Sequence, residues 1–222
     1  MTVYGIPEKP AAIIFDIDGT LYTNEEYIQN QIDSQIRRFA ETRGLEGLKA
    51  RNMIFSYRDE WAKLNGGKRP SLGNVLKDLG VPISETVEWR KELIRPERFL
   101  SADKKLAETL AVLAASYKLL CLTNNPVSVG RKTLEVLGAD PFISGIIGLD
   151  TCGISKPDPK IFELAAKRAD TSVDRCISVG DRYDIDLAVP VETGMGAILV
   201  NGVHDVYELP AILKKYFFSK LR

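Results

Sequence analysis

Ile13-Ile14-Phe15-Asp16-Ile17-Asp18-Gly19-Thr20 is an apolar run that stops at two carboxylates spaced by one residue. A β-branched and aromatic run of this kind reads as a buried strand, and Gly19 then lets the chain turn. Asp16 and Asp18 therefore fall where a strand ends and a loop begins, the edge at which open α/β sheets place their ligands. Two carboxylates so close repel each other unless a cation or a proton lies between them. The pair suits a divalent metal, a nucleophile or an acid/base couple, and poorly suits a purely structural turn.

Outward from this run, four further apolar stretches read as strands: Tyr117–Leu122, Phe142–Ile147, Cys176–Val179 and Ala197–Val200, with Ala11–Phe15 as the first. Amphipathic segments at Asp103–Ala115, Val127–Leu137, Pro159–Ala169 and Asp184–Thr193 lie between most of them. Strand–helix alternation with short connections predicts an α/β fold, a doubly wound parallel sheet with helices on both faces. The region Leu21–Pro96 breaks that rhythm and reads as pure helix, over Glu25–Thr42, Glu46–Leu64, Ser71–Leu79 and Ser84–Ile94. A helical stretch this long is a domain rather than a loop. The expected organisation is a core of residues 1–20 and 97–222 and an α-helical cap of residues 21–96, entered and left beside Asp16 and Asp18.

Thirty basic residues balance thirty acidic ones in the 222-residue chain, so no global field recruits nucleic acid or an anionic membrane. No apolar stretch approaches the ~20 residues of a membrane helix, and Met1–Pro10 lacks the pattern of a secretory signal. Cys121, Cys152 and Cys176 are widely spaced and form no metal or redox motif, which favours free thiols and a cytoplasmic location. His204, the single histidine, reads as a surface residue. The ending Lys214–Lys220 reads as a terminal helix packing Tyr216 to Phe218 on the core.

Three more polar clusters fall at predicted strand ends. Leu122-Thr123-Asn124-Asn125 delivers a hydroxyl and two amides; Ser155-Lys156-Pro157-Asp158-Pro159 presents a lysine in a proline-stiffened loop; Val179-Gly180-Asp181-Arg182-Tyr183-Asp184-Ile185-Asp186 ends a strand in a carboxylate-rich turn. Each alone has an ordinary reading, since Thr-Asn-Asn also caps helices and a lone loop lysine is usually solvated. With Asp16-x-Asp18-Gly19-Thr20, the run ending in Thr123, Lys156 before Pro157, and Gly180-Asp181 followed by Asp186, the whole chain resembles the haloacid dehalogenase superfamily of aspartyl phosphotransferases and phosphatases. The helical insert resembles that superfamily's common cap.

The resemblance implies a Rossmann-like core with strand order 5-4-1-2-3 and one magnesium ion. Asp16 would be the nucleophile that forms an aspartyl-phosphate, and Asp18 would protonate the leaving alkoxide and then deprotonate the attacking water. Asp16, the Asp18 backbone carbonyl and Asp181 would hold the metal. Thr123 and neighbouring amides, with Thr20 and Asn124, would hold phosphate oxygens, while Lys156 would offset charge between Asp16 and the phosphoryl group. Asp186 would stand behind the metal, orienting its waters or Lys156, with Asp184 as the competitor for that place.

Asp18 also speaks to the reaction. Dehalogenases of this fold lack a carboxylate two residues after the nucleophile, because halide leaves without a proton. The expected activity is therefore hydrolysis of a small phosphate monoester by a monomer or homodimer. A phosphomutase of the β-phosphoglucomutase type shares the same core chemistry, and a catalytically silent binding protein is the reading from another class. In the cap, Lys68 and Arg69 are candidates to contact the substrate, or else form a solvated turn. Tyr22, Asn24, Tyr27 and Tyr57 either line the pocket or pack within the cap. Resemblances to pyrimidine 5′-nucleotidases and to phosphoglycolate phosphatases are not separated by sequence.

Overall fold

A computed structural model describes residues 1–67 and 69–220, with side chains to residue 216. Six strands form one sheet: β1 (Thr2–Gly5), β2 (Ala12–Phe15), β3 (Lys118–Leu122), β4 (Gly145–Ile147), β5 (Cys176–Gly180) and β6 (Gly196–Leu199). Their spatial order is β1-β6-β5-β2-β3-β4. The five parallel strands thus follow the expected 5-4-1-2-3 order, and β1 extends the sheet antiparallel to β6, pairing Thr2 with Leu199 and Val3 with Ile198. The sequence reading left β1 out. It is short and its side chains are mostly exposed, so it carries none of the burial pattern that marks a strand.

The two carboxylate-bearing strands lie side by side at the centre of this sheet. β2 is buried along its whole length, and so is β5, as expected of parallel strands covered on both faces. Phe15 is level with Cys121 of β3 and with Val179 of β5. Asp16, Thr123 and Asp181 therefore emerge from three adjacent strands at one edge. On one face Ile14, Leu120 and Ile147 pack on Ile161, Phe162 and Ala165 of the helix Pro159–Arg168. On the other, Gly130 of the helix Val127–Leu137 approaches so closely that an added Cβ would lie 3.1 Å from Ile17 and 3.3 Å from Thr123.

The chain divides into two compact units, residues 1–25 with 96–222, and residues 26–95. Residues 21–25, read from sequence as the start of the cap, thus fold with the sheet. The second unit is built from the helices Glu25–Arg43, Gly47–Leu64, Leu72–Asp78 and Ile83–Leu93. Its own core includes Ile36, Phe39, Ile54, Leu76 and Trp89. A polar contact is buried there too: Arg90 Nε donates to Gln35 Oε1 at 2.8 Å.

Among the described residues no helix is long and apolar enough to cross a membrane. Cys121 and Cys176 are buried free thiols, while Cys152 is exposed. His204 lies edge-on to the Tyr207 ring. In the terminal helix Leu209–Lys220, the Tyr216 hydroxyl donates to the Ile6 carbonyl at 3.2 Å; the expected packing of Phe217 and Phe218 lies outside the described side chains.

Candidate active site

Asp16 follows β2 directly and its amide continues the ladder, donating to Val179 O at 2.9 Å. Its carboxylate is 8% exposed. Lys156 Nζ donates to Oδ1 at 2.6 Å and the Thr20 hydroxyl to Oδ2 at 3.2 Å. Burial pushes this carboxyl well above the ordinary range; Lys156 opposes the shift, and Asp186, Asp18 and Asp181 add to it. Lys156 lies 2.7 Å from Asp186 Oδ1 as well, so one buried ammonium bridges two buried carboxylates. Burial alone would lower the Lys156 pKa, but the two anions outweigh it and hold the amine protonated.

Tight turn geometry sets the next pair of contacts. Thr20 N and Leu21 N both donate to Ile17 O, at 3.3 and 3.0 Å, and Gly19 adopts φ +85°. The turn brings each aspartate beneath the hydroxyl four residues on, Thr20 over Asp16 and Tyr22 over Asp18. Tyr22 OH donates to Asp18 Oδ1 at 2.7 Å, and Asn125 Nδ2 donates to Oδ2 at 2.9 Å. The Thr123 hydroxyl lies 3.4 Å from the same Oδ2 and accepts from Asn125 N at 3.0 Å. Gly19 also approaches the acidic turn after β5: a Cβ there would lie 2.5 Å from Asp181 Oδ2.

That acidic turn is shaped by a π-helical segment, Tyr183–Leu187, a form that tends to occur at functional sites. The Ser178 hydroxyl donates to Asp186 O at 2.9 Å, and Arg182 N donates to Asp186 Oδ2 at 3.1 Å. These bonds aim Asp186, which is 2% exposed, at Lys156. Asp184 instead pairs with Arg182 at 2.8 Å, nearer solvent. Of the two acids that sequence left open, Asp186 is the one at Lys156. Asp181 is pushed up to about 6 by burial and by Asp186, with Lys156 opposing.

One carboxylate oxygen each from Asp16, Asp181 and Asp186 lie within 4.8 Å of one another. Three hard oxygen donors at this spacing fit a small divalent cation better than a soft one.

Two residues expected at the phosphate have other partners. Asn124 brackets the backbone of Lys156: its Oδ1 accepts from Lys156 N at 2.8 Å and its Nδ2 donates to Lys156 O at 3.2 Å. The Thr20 hydroxyl is given to Asp16. In the helical unit, Arg69 pairs with Asp59 at 2.7 Å, and Lys68 lies outside the described residues. Tyr57 donates to Asp78 at 2.8 Å, and Asn24 to Phe99 O at 2.9 Å. Tyr27 is fully buried. Asn125 was legible as a second amide at a strand end but had no assigned task. Its signal, and that of Tyr22, is a long polar side chain placed to reach the second aspartate.

The fold is thus an α/β sheet, six-stranded and mostly parallel, whose carboxyl edge gathers an aspartate pair, a lysine and an acidic turn. Residues 10–190 match the haloacid dehalogenase-like hydrolase family model, and the chain belongs to that family. It is 25% identical over 190 residues to pyrophosphatase PpaX of Listeria innocua, covering 83% of this chain and 81% of that protein. It is 26% identical over 195 residues to glyceraldehyde 3-phosphate phosphatase of Methanopyrus kandleri, covering 86% and 83%. A solved HAD phosphatase from Thermococcus onnurineus superposes with a TM-score of 0.63 at 25% identity, over 91% of this chain and 97% of that one.

Proposed function

We propose that this chain is a magnesium-dependent phosphatase that hydrolyses a small phosphate monoester through an aspartyl-phosphate on Asp16. The observation that carries the reading is the division of labour between the two aspartates. Asp16 is gripped by Lys156 and Thr20, whereas Asp18, two residues on, is held separately by Tyr22 and Asn125. A nucleophile and an acid/base group need different surroundings, and here each has its own.

Asp16 attacks phosphorus with the oxygen not given to Lys156, and the P–O bond to the leaving group breaks. Asp18 delivers a proton to the departing alkoxide, then takes one from the water that attacks the acyl phosphate. Lys156 offsets the charge that builds between carboxylate and phosphoryl oxygens. Asp16, Asp181 and the Asp18 backbone carbonyl would hold the magnesium ion, which when bound neutralises phosphate charge. Asp186, already on Lys156, would orient its surroundings, and Thr123 with the nearby amides would receive phosphate oxygens. The unit of residues 26–95 is read as the cap that selects the leaving group.

Asp18 argues against dehalogenation, and a phosphomutase would differ only in passing the phosphoryl group to a sugar. Purified protein with magnesium should hydrolyse one or more members of a panel of sugar, triose, nucleotide and carboxylic-acid phosphates with pyrophosphate included. Asp16→Asn should abolish that turnover while leaving the fold intact, since the change is nearly isosteric. Activity of this variant above about a hundredth of wild type would remove Asp16 as nucleophile.

A further inference from the structure

We infer that Tyr22 and Asn125 form a two-sided clasp that positions Asp18, with Tyr22 the member that governs its work as acid. The inference rests on the phosphatase reading above. Both oxygens of Asp18 are held: Tyr22 OH donates to Oδ1 at 2.7 Å and Asn125 Nδ2 to Oδ2 at 2.9 Å, with the Thr123 hydroxyl a longer 3.4 Å from Oδ2. Neither donor belongs to the set that grips Asp16. Tyr22 is 3% exposed and Asn125 9%, so little bulk water is available to substitute for either donor.

The clasp is built from two directions. Tyr22 arrives through the local turn at Gly19, and Asn125 arrives from the end of β3, whose register with β2 is set by the sheet. A carboxylate on a short side chain has two free torsions. Fixing both oxygens from opposite origins therefore determines which edge of the carboxyl group can present its proton to a leaving-group oxygen. Thr123 reinforces the Asn125 side, since its hydroxyl accepts from Asn125 N at 3.0 Å and lies 3.4 Å from Asp18 Oδ2. Proton transfer falls off steeply with misalignment, so losing one side of the clasp should cost the acid step more than the attack of Asp16.

Tyr22→Phe keeps the ring and deletes only the donor. With the best alkyl phosphate of the panel, its kcat/KM should fall on the order of tenfold, as expected for one hydrogen bond to a charged group. With 4-nitrophenyl phosphate, whose phenolate leaves without much help, the change should stay within about twofold. Asn125→Ala should show the same split, and thermal melts of both variants report whether folding is kept. A purely structural tyrosine would move both substrates together or neither, and that result overturns the inference. Asp18→Asn serves as the reference. If it splits the substrates and Tyr22→Phe does not, the clasp is wrong and the phosphatase reading stands. If Asp18→Asn shows no split, the acid role itself falls, and the clasp with it.

Discussion

At the scale of single residues, Asp181 carries the most informative charge. It titrates at about 6 in the folded chain against 3.8 for an ordinary aspartate, because burial and Asp186 disfavour its anion. Between those values the folded protein binds more protons than the unfolded chain, so stability falls as pH rises through about 4 to 6. The loss is on the order of 2–3 kcal/mol. Urea melts in chelator should show it as a difference between wild type and Asp181→Asn that widens from pH 4 to pH 6.5. Magnesium at pH 7 should raise the wild-type midpoint and do little for the variant. A wild-type advantage that grows with pH in chelator would contradict the crowded environment described for this carboxylate.

Elements matter because several of them meet without room to spare. β5 ends at Gly180, where a Cβ would lie 2.4 Å from Asp186 Cβ and 2.6 Å from its Cγ. The π-helical turn can fold back over its own strand only because that residue has no side chain. Gly180→Ala should push Asp186 off Lys156, cost about 1–3 kcal/mol through overpacking, and depress turnover together with stability. Gly145→Ala in β4 is the control, since the nearest atom to its added Cβ is Leu120 Cδ2 at 4.0 Å. Denaturation midpoints and kcat of the two variants make the comparison. A tolerated Gly180→Ala would mean that the turn can relax.

For the whole molecule, the question is what residues 26–95 contribute. On the proposed reading, core contacts would serve the phosphate of any ester, and the helical unit would grip the leaving group. Arg69 and Asp59 are both more than half exposed in their ion pair, so removing it should cost under about 1 kcal/mol. Alanine at Arg69 should therefore leave the fold intact, and a thermal melt of the double Lys68→Ala, Arg69→Ala variant checks that folding is kept. If this turn reaches the substrate, kcat/KM for the preferred alkyl phosphate should drop on the order of tenfold or more. 4-Nitrophenyl phosphate should be nearly unaffected. Equal losses, or none, would mean that this turn does not set specificity.

What the sequence by itself determined is the carboxyl edge and its chemistry. An apolar run ending in Asp16-x-Asp18-Gly19 can hardly be anything but a buried strand leading into a turn. The same local logic placed Thr123 and Asp181 at later strand ends, where a polar group interrupts an apolar run; Lys156, expected at a strand end too, instead follows the helix Leu149–Cys152, well past the end of β4 at Ile147. Partners were a different matter. Asp186 rather than Asp184 at Lys156, Asn124 on the Lys156 backbone, Thr20 on Asp16 and Tyr22 on Asp18 follow from packing, register and turn geometry. Asn125 and Asp18 are 107 residues apart, and the alignment of β3 with β2 is what brings them together. The edge strand β1 belongs with these, since a strand with exposed side chains has no burial signal; its ladder to β6 and the contact of Tyr4 with the Tyr183 ring hold it. Local burial is written in neighbouring residues, but a hydrogen bond between distant side chains exists only once the sheet has fixed their separation.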